Sequence, residues 1–152
     1  MLLRDRLQMA LKDAMRAKEV DRLSTLRLIN AAIKDREIAV RGEADAGEVG
    51  EPEIQQIMGK MVKQRLESAR AYEEGGRLEL AEKELAEIGV IQEFLPRQLA
   101  ADEIEAAITA AVADTGAAGI RDCGKVIAAL KGKYTGQMDF GAVGAAVKGR
   151  LG

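Results

Sequence analysis

The sequence is poor in the residues that carry most metal, redox and nucleophile chemistry. It has no histidine, no tryptophan, one cysteine (Cys123), and only two residues each of proline, tyrosine and phenylalanine. A single thiol without histidine excludes a disulfide within the chain and a soft-metal ligand set, and it leaves Cys123 without a base to activate it. We therefore expect no metal site, no cofactor and no catalytic residue, and we expect Cys123 to pack as a small apolar side chain.

The sequence also lacks a long apolar run and a secretory leader. No apolar stretch approaches the ~20 residues that cross a bilayer. The N-terminal segment MLLRDRLQMALKDAM is charged throughout and has no apolar centre of the signal-peptide kind. These absences predict a protein that does not bind membranes and that works in a reducing compartment, which we take to be the cytoplasm.

Helix-forming residues dominate what is present. Ala, Leu, Glu, Lys, Arg and Met are abundant, whereas β-branched runs are scarce. With 152 residues the chain can form one domain or two small ones. The predicted fold class is all-α, with an N-terminal domain of about four helices and a small C-terminal three-helix bundle.

Apolar residues at helical spacing predict four helices before Pro96. They are a first helix to about Ala17, a second capped by Asp21, a third beginning at Pro52, and a fourth over residues 78–94 after Gly75-Gly76. Residues 41–51 lack this periodicity and are predicted to form a loop. The stripe predicted to be buried on the fourth helix consists of Leu78, Ala81, Leu85, Ile88, Gln92 and Leu95.

Pro96 separates these helices from a second periodic set. Proline disfavours a helical conformation in the residue before it and stops the helix itself, so the predicted domains are residues 1–94 and 97–152. In the second domain we expect a helix capped by Asp102, another following Asp122, and a last one capped by Asp139 after a turn at Gly136.

Basic side chains cluster in the last part of the chain. Residues 120–152 contain six lysines and arginines against two aspartates, although the whole chain has a formal charge of −2 and an acidic middle. That distribution argues against general coating of nucleic acid, DNA included, but it is compatible with a local phosphate-binding face. The predicted RNA-binding residues are Lys125, Lys131, Lys133, Lys148 and Arg150. The alternative is that these side chains only keep a small bundle soluble.

A second candidate site lies on the third helix. Arg65 and Ser68 fall on the same side of that helix as Met61 and Tyr72, which places a cation near the packing seam. Arg65, Ser68 and Tyr72 therefore form a candidate anion site. The alternative is that Arg65 forms a structural ion pair with Glu84 or Glu87.

Several motifs, in order along the chain, resemble the GatB/YqeY family. They are residues 22–27 with 31–34, Lys63-Gln64-Arg65, Ala71-Tyr72-Glu73, Leu95-Pro96-x-Gln98-Leu99, and Asp122-x-Gly124-Lys125-Val126 followed by Gly136 and Asp139. The similarity covers essentially the whole chain, and it is closest in kind to the stand-alone YqeY-like proteins. The C-terminal motif also resembles the tail of the tRNA-dependent amidotransferase B subunit, and we expect a stand-alone protein rather than a fragment of that subunit.

The resemblance implies a link to glutamine-dependent carbon–nitrogen ligation and to tRNA. The sequence has no G-x-x-x-x-G-K-[ST] loop, no G-x-G-x-x-G turn and no Cys–His pair, so we expect no amidotransferase activity from this chain alone. Two hypotheses remain. The first is a tRNA-binding accessory module that works with the translation machinery, which the basic cluster and the resemblance favour. The second is a protein–protein interaction adaptor with no RNA role, which the weak overall charge and scarce aromatic residues favour.

Overall fold

A computed structural model describes residues 2–41 and 49–152. Within these ranges all regular secondary structure is helical and there is no strand, which confirms the all-α prediction. The helices are α1 (Leu3–Ala17), α2 (Val20–Ala39), α3 (Glu51–Glu74), α4 (Leu78–Gln92), α5 (Ala101–Thr115), α6 (Cys123–Tyr134) and α7 (Phe140–Leu151). A short 3-10 turn over Ile120–Asp122 leads into α6. None of the helices in the described ranges is both long enough and apolar enough to cross a membrane.

The chain divides into two compact units, Met1–Leu95 and Pro96–Gly152, which we call unit 1 and unit 2. Unit 1 contains α1 to α4, and unit 2 contains α5 to α7. The loop predicted over residues 41–51 falls mainly on residues 42–48, which lie outside the described residues. Pro52 occupies the first turn of α3 as predicted, because the first helical N–H groups need no intrahelical acceptor.

The core of unit 1 is formed by one apolar stripe from each of its four helices. Its most buried large side chains are Leu3, Leu7, Leu26, Ile29, Ile33, Ile54, Met58, Ile88, Ile91 and Phe94. α3 and α4 form a helical hairpin around Gly75 and Gly76. Gly76 has φ +76°, a left-handed conformation that glycine adopts without the steric cost of a Cβ atom.

The buried stripe predicted for α4 is confirmed at Ala81 and Ile88, but it is wrong at three other positions. Leu78 and Leu85 are 61% and 45% exposed, and Gln92 is exposed as well. The buried positions are Ala81, Ile88 and Ile91, of which only Ile91 was not predicted. Both stripes have helical spacing, but the observed one is rotated so that Glu87 faces α3, where its carboxylate meets Arg65. Because the partner of Glu87 lies on another helix, the periodicity of α4 alone placed the centre of the stripe too far from Glu87.

Two predicted helix caps are also displaced. Asp21 and Asp102 lie inside the first turns of α2 and α5, whose N-cap positions are Glu19 and Ala100. An aspartate in the first turn still interacts favourably with the positive end of the helix dipole, which accounts for its presence there. The cap predicted at Asp139 is confirmed, since its Oδ1 atom accepts the backbone N–H of Gly141 at 3.0 Å.

Unit 2 has its own core, built from α5, α6 and α7. Its most buried side chains are Ala107, Ile108, Cys123, Val126, Leu130, Met138, Val143 and Val147. The burial of Cys123 confirms the prediction that it packs as an apolar residue. The predicted turn at Gly136 is present, with φ +76° at that glycine.

The last two helices run antiparallel. A Cβ atom placed on Gly144 would lie 3.5 Å from Cδ1 of Ile127, and one placed on Gly152 would lie 3.8 Å from Cδ1 of Ile120. The middle of α7 therefore packs on the middle of α6, and the end of α7 returns to the beginning of α6. We call this pair the α6–α7 hairpin.

Candidate functional site

The α6–α7 hairpin carries all five predicted RNA-binding residues, but it divides them between its two ends. Lys125 lies in the first turn of α6, whereas Lys131 and Lys133 lie in its last turn. Lys148 and Arg150 lie in the last turn of α7, which the antiparallel pairing brings back to the beginning of α6. With a rise of ~1.5 Å per residue, Lys125 and Lys133 are about 12 Å apart along the axis of α6.

The residues also point in different directions around their helices. Lys131 and Lys133 are two residues apart and therefore project about 200° apart around α6. The same offset separates Lys148 from Arg150 on α7. The structure consequently does not place all five cations on one face. It brings Lys125 and Lys148 to the same end of the hairpin.

Arg150 is held against α5. Its NH2 group lies 2.8 Å from Oε2 of Glu105, and its NH1 group donates a hydrogen bond to the hydroxyl of Thr109. Both partners lie on α5, so Arg150 joins two helices of unit 2. Lys148 projects from the opposite side of α7, away from α5, and is exposed.

The three other lysines differ in their surroundings. Nζ of Lys125 lies 3.8 Å from Oδ1 of Asp122, but its side chain remains 71% exposed. Lys133 lies over the ring of Tyr134, 5.6 Å from the ring centroid. Lys131 is exposed, and no carboxylate among the described residues lies within ion-pair distance of Lys131 or Lys148.

Asp122 anchors the beginning of α6. The backbone N–H of Ala118 donates to its Oδ2 atom at 3.0 Å. This hydrogen bond lowers the pKa of the Asp122 carboxyl, and the neighbouring Lys125 lowers it further. A charged Asp122 therefore fixes the turn from which Lys125 projects.

One cation at this end was not in the predicted set. Arg121 is exposed and precedes α6 by two residues. The antiparallel pairing places it at the end of the hairpin that carries Lys125 and Lys148. The spacing of Arg121 and Lys125, four residues, was the sequence signal that could have identified it.

In unit 2 most negative and most positive side chains lie on different helices. α5 contains four carboxylates and no lysine or arginine, namely Asp102, Glu103, Glu105 and Asp114. Residues 120–152 contain six cations and two carboxylates. The positive potential of the unit is therefore concentrated on the α6–α7 hairpin, although the charge of the whole chain is slightly negative.

The candidate anion site on α3 contains an ion pair. Nε of Arg65 lies 3.0 Å from Oε2 of Glu87, and its NH1 group donates to the carbonyl oxygen of Met61 at 3.2 Å. The two charged side chains are only 15% and 17% exposed. Ser68 and Tyr72 lie beside this pair on α3 and are half-buried. An external anion at this position would compete with Glu87 for the guanidinium.

The described residues contain no group of three or more cysteine, aspartate, glutamate or histidine side chains arranged to hold a metal ion. The described part of unit 1 also contains a groove of about 420 Å³ beside α1. Five of its lining residues are apolar and four are charged, namely two arginines and two carboxylates. It offers no arrangement of nucleophile and base.

Comparison with known proteins identifies a family that covers nearly the whole chain and relatives that cover part of it. The family described as "Yqey-like protein" matches residues 4–151. "Altered inheritance of mitochondria protein 41, mitochondrial" from Clavispora lusitaniae is 39% identical over 89 residues, which cover 59% of this chain and 49% of that protein. The protein of the same name from Lachancea thermotolerans is 32% identical over 95 residues, covering 62% of this chain and 49% of that protein. This chain thus spans about half the length of these curated relatives.

The names of these relatives contradict the expected cytoplasmic location. Both proteins, and a third of the same name from Meyerozyma guilliermondii, are named as mitochondrial. The prediction rested on a lone thiol and the lack of a secretory leader. Those features argue for a reducing compartment, but they do not distinguish the cytoplasm from the interior of an organelle.

Proposed function

We propose that this chain, which belongs to the Yqey-like protein family, is an accessory protein that binds structured RNA. The first candidate ligand is tRNA. The observation that carries the proposal is the charge separation inside unit 2. The α6–α7 hairpin collects six cations against two carboxylates, and the compensating carboxylates lie on α5. The resemblance of residues 122–139 to the tail of an amidotransferase subunit with a tRNA substrate supports the choice of RNA.

The proposed contact surface is the end of the hairpin formed by Arg121, Lys125 and Lys148. Lys125 lies in the first turn of α6, where backbone N–H groups also favour an anion. These side chains would contact phosphates and read the shape of the RNA. Such recognition needs no aromatic platform for base stacking, which suits a chain with two tyrosines and two phenylalanines.

The proposal assigns no catalytic step to this chain. A role in carbon–nitrogen ligation would consist in holding or presenting RNA to a separate catalytic protein. The proposed contact residues Arg121, Lys125 and Lys148 bind and orient a polyanion, and none of them is an activated nucleophile.

A second candidate function is supported by unit 1. Among the described residues, ten large apolar side chains of unit 1 are exposed, compared with one, Ile120, in unit 2. Leu78 and Leu85 are among them and share one side of α4. Exposed apolar side chains on paired helices are suited to a protein partner, which favours an adaptor role for this unit.

A salt titration against tRNA distinguishes the two functions. Purified, nuclease-treated protein is titrated with tRNA at several salt concentrations. If RNA is the ligand, the logarithm of the association constant should fall linearly with the logarithm of salt concentration, by ~0.7–0.9 for each phosphate contacted. Replacing both Lys131 and Lys133 by alanine should reduce that slope only if the distal end of the hairpin also contacts RNA.

A pull-down with and without nuclease completes the test. RNA that co-purifies only without nuclease supports the proposal. No tRNA binding at low salt, together with a protein partner retained after nuclease treatment, would replace it by the adaptor function.

A further inference from the structure

The outward face of α1 has an apolar side chain, Met9, at its centre, and it remains exposed in the part of unit 1 that the structure describes. Leu3, Leu7 and Ala14 point into the core. On the other side of the helix Leu2 is 62% exposed and Met9 is 50% exposed. We call this outward strip the α1 face.

The groove of unit 1 runs along the edge of the α1 face. It is lined by Arg6, Met9, Ala10, Asp13, Ala14, Ala17, Glu19, Arg22 and Phe94. Ala14 belongs to the core, whereas Met9 is 50% exposed. Met9 therefore stands on the outer side of the groove, where it can contact a second helix.

Two charged side chains of opposite sign stand on the same side of this groove. Arg6 and Asp13 are seven residues apart, which places them within about 20° of each other around α1 and about 10.5 Å apart along it. Arg6 donates to the carbonyl oxygen of Glu93 at 3.1 Å and lies over the ring of Phe94, 5.5 Å from its centroid. Among the described residues, neither Arg6 nor Asp13 has an ion-pair partner.

We propose that the α1 face binds a second copy of this chain, with the two α1 helices antiparallel about a two-fold axis near Met9 and Ala10. This pairing brings Arg6 opposite the partner subunit's Asp13, and Asp13 opposite the partner subunit's Arg6. Met9 meets the partner subunit's Met9 at the centre. In a two-fold symmetric dimer each contact occurs twice. A surface that is complementary to itself can therefore pair with the same surface of a second copy.

The opposite edge of the α1 face also places opposite charges beside each other in this register. Asp5, Lys12 and Arg16 are exposed along that edge. In the antiparallel register Asp5 lies between Lys12 and Arg16 of the partner subunit. Both edges therefore pair opposite charges with one and the same register, and this agreement selects a second copy over an unrelated helix.

The interface should be weak. α1 has 15 residues and is about 22 Å long, so a single pair of such helices forms an interface at the small end of those known for specific complexes. We expect a monomer–dimer equilibrium that depends on protein concentration and weakens with salt, because its charge pairs are exposed.

Sedimentation velocity over a wide concentration range tests this with a matched pair of variants. Met9→Glu should weaken self-association about tenfold or more, because it places two like charges at the centre of the interface. Met15→Glu is the control. Met15 is 53% exposed on the same helix, but it projects about 120° away from Met9, so this variant should dimerise as the unaltered protein does.

A charge-exchange experiment tests the register. Arg6→Asp and Asp13→Arg should each self-associate more weakly than the unaltered chain, because each places like charges opposite one another. An equimolar mixture of the two variants should recover association, since every pair across the axis is then opposite in charge. Circular dichroism of each variant checks that helix content is retained, which matters most for Arg6→Asp because it also loses the Phe94 contact.

The results that overturn the proposal are specific. An unaltered protein that remains monomeric up to about 1 mM overturns it, as does equal weakening by Met9→Glu and Met15→Glu. A mixture of the two charge variants that fails to associate while both remain folded also overturns it.

Discussion

The carboxylate of Glu51 accepts a hydrogen bond from the backbone N–H of Leu3, with an N–O distance of 2.6 Å. Leu3 begins α1, and its N-cap residue Leu2 has no side-chain acceptor. A helix leaves its first N–H groups without intrahelical partners. The acceptor for α1 therefore comes from the beginning of α3, 48 residues later in the chain.

Replacing Glu51 by alanine should lower the free energy of unfolding of unit 1 by about 1 kcal/mol, the usual cost of losing a helix cap. For a unit of this size such a loss shifts the melting temperature down by about 4–8 °C. Thermal unfolding followed by circular dichroism measures it. Glu51→Gln should retain most of the stability because its amide oxygen can still accept, and Glu67→Ala, at an exposed position within α3, should leave it nearly unchanged.

The ion pair between Arg65 and Glu87 yields a second prediction. Both side chains are largely buried, so removing one leaves a poorly solvated charge. Glu87→Ala should cost about 2 kcal/mol, less than for a fully buried pair because both groups retain some contact with water. Denaturant unfolding measures this cost, with Glu79→Ala on the exposed side of α4 as the control.

The same variant decides whether the α3 position binds anions. In the unaltered chain Glu87 is paired with the guanidinium of Arg65, so added phosphate should hardly change the melting temperature of unit 1. In Glu87→Ala the freed Arg65 should bind phosphate and raise that temperature. An equal response of both proteins to phosphate would show that Glu87 does not control access to Arg65.

The contrast between Glu51 and Asp139 shows what the sequence could predict. Asp139 caps the helix that follows it directly, so its role was predictable from local order. Glu51 accepts a hydrogen bond from the first turn of a helix from which it is separated by all of α2, and only the folding of unit 1 brings the beginnings of α1 and α3 together. The all-α fold class was predictable for the same reason as Asp139, since composition and helical periodicity are local properties.

The candidate RNA-binding surface shows the same limit. The clustering of six cations in residues 120–152 was visible in the sequence. Their division between two ends of a hairpin depends on the antiparallel pairing of α6 and α7, and the attachment of Arg150 to α5 depends on a contact 45 residues away. A count of charges along the chain contains neither fact.

We propose that the two units are separately folding domains, and a truncation series tests this. Gln98 donates from Nε2 to the carbonyl oxygen of Gly136 at 2.6 Å, and Leu99 N–H donates to Gln137 at 2.9 Å. Residues 96–152 should therefore unfold cooperatively when expressed alone. Residues 100–152 lack these bonds and should melt at a lower temperature. A polypeptide of residues 96–152 without helical circular dichroism would contradict the proposal.

The pKa of Glu103 leads to a prediction about pH. Arg97 contacts both of its carboxylate oxygens at 2.8 Å, and the backbone N–H of Ala100 donates to it as well. These contacts, with Arg97 the largest, lower the pKa of Glu103 from 4.5 to about 2. A carboxyl whose pKa is lower in the folded state stabilises the fold above its unfolded pKa.

That stabilisation should be complete above about pH 5 and should disappear as the pH falls from 4.5 towards 2. Glu103→Gln should lose this component, so its melting temperature should fall less steeply with acid than that of the unaltered protein. Melting curves between pH 7 and pH 2 measure the difference. Asp114→Asn, at an exposed position of the same helix, provides the control, and parallel acid profiles for all three proteins would contradict the assignment.

The final prediction separates RNA contact from structural support by means of two cations in one turn of α7. Arg150 is engaged with Glu105 and Thr109 on α5, whereas Lys148 projects away from α5 into solvent. Lys148→Ala should reduce the salt dependence of tRNA binding by the equivalent of about one phosphate contact, and it should leave the melting temperature unchanged.

Arg150→Ala should do the reverse. It removes an exposed ion pair and a hydrogen bond between helices, so unit 2 should lose about 0.5–1 kcal/mol of stability. Its salt slope for tRNA binding should stay close to that of the unaltered protein. If Arg150→Ala lowers the slope and Lys148→Ala does not, the RNA lies against α5 and its carboxylates, which would contradict the proposed contact surface. If neither variant changes the slope, the end of the hairpin that carries Lys125 and Lys148 is not where RNA binds.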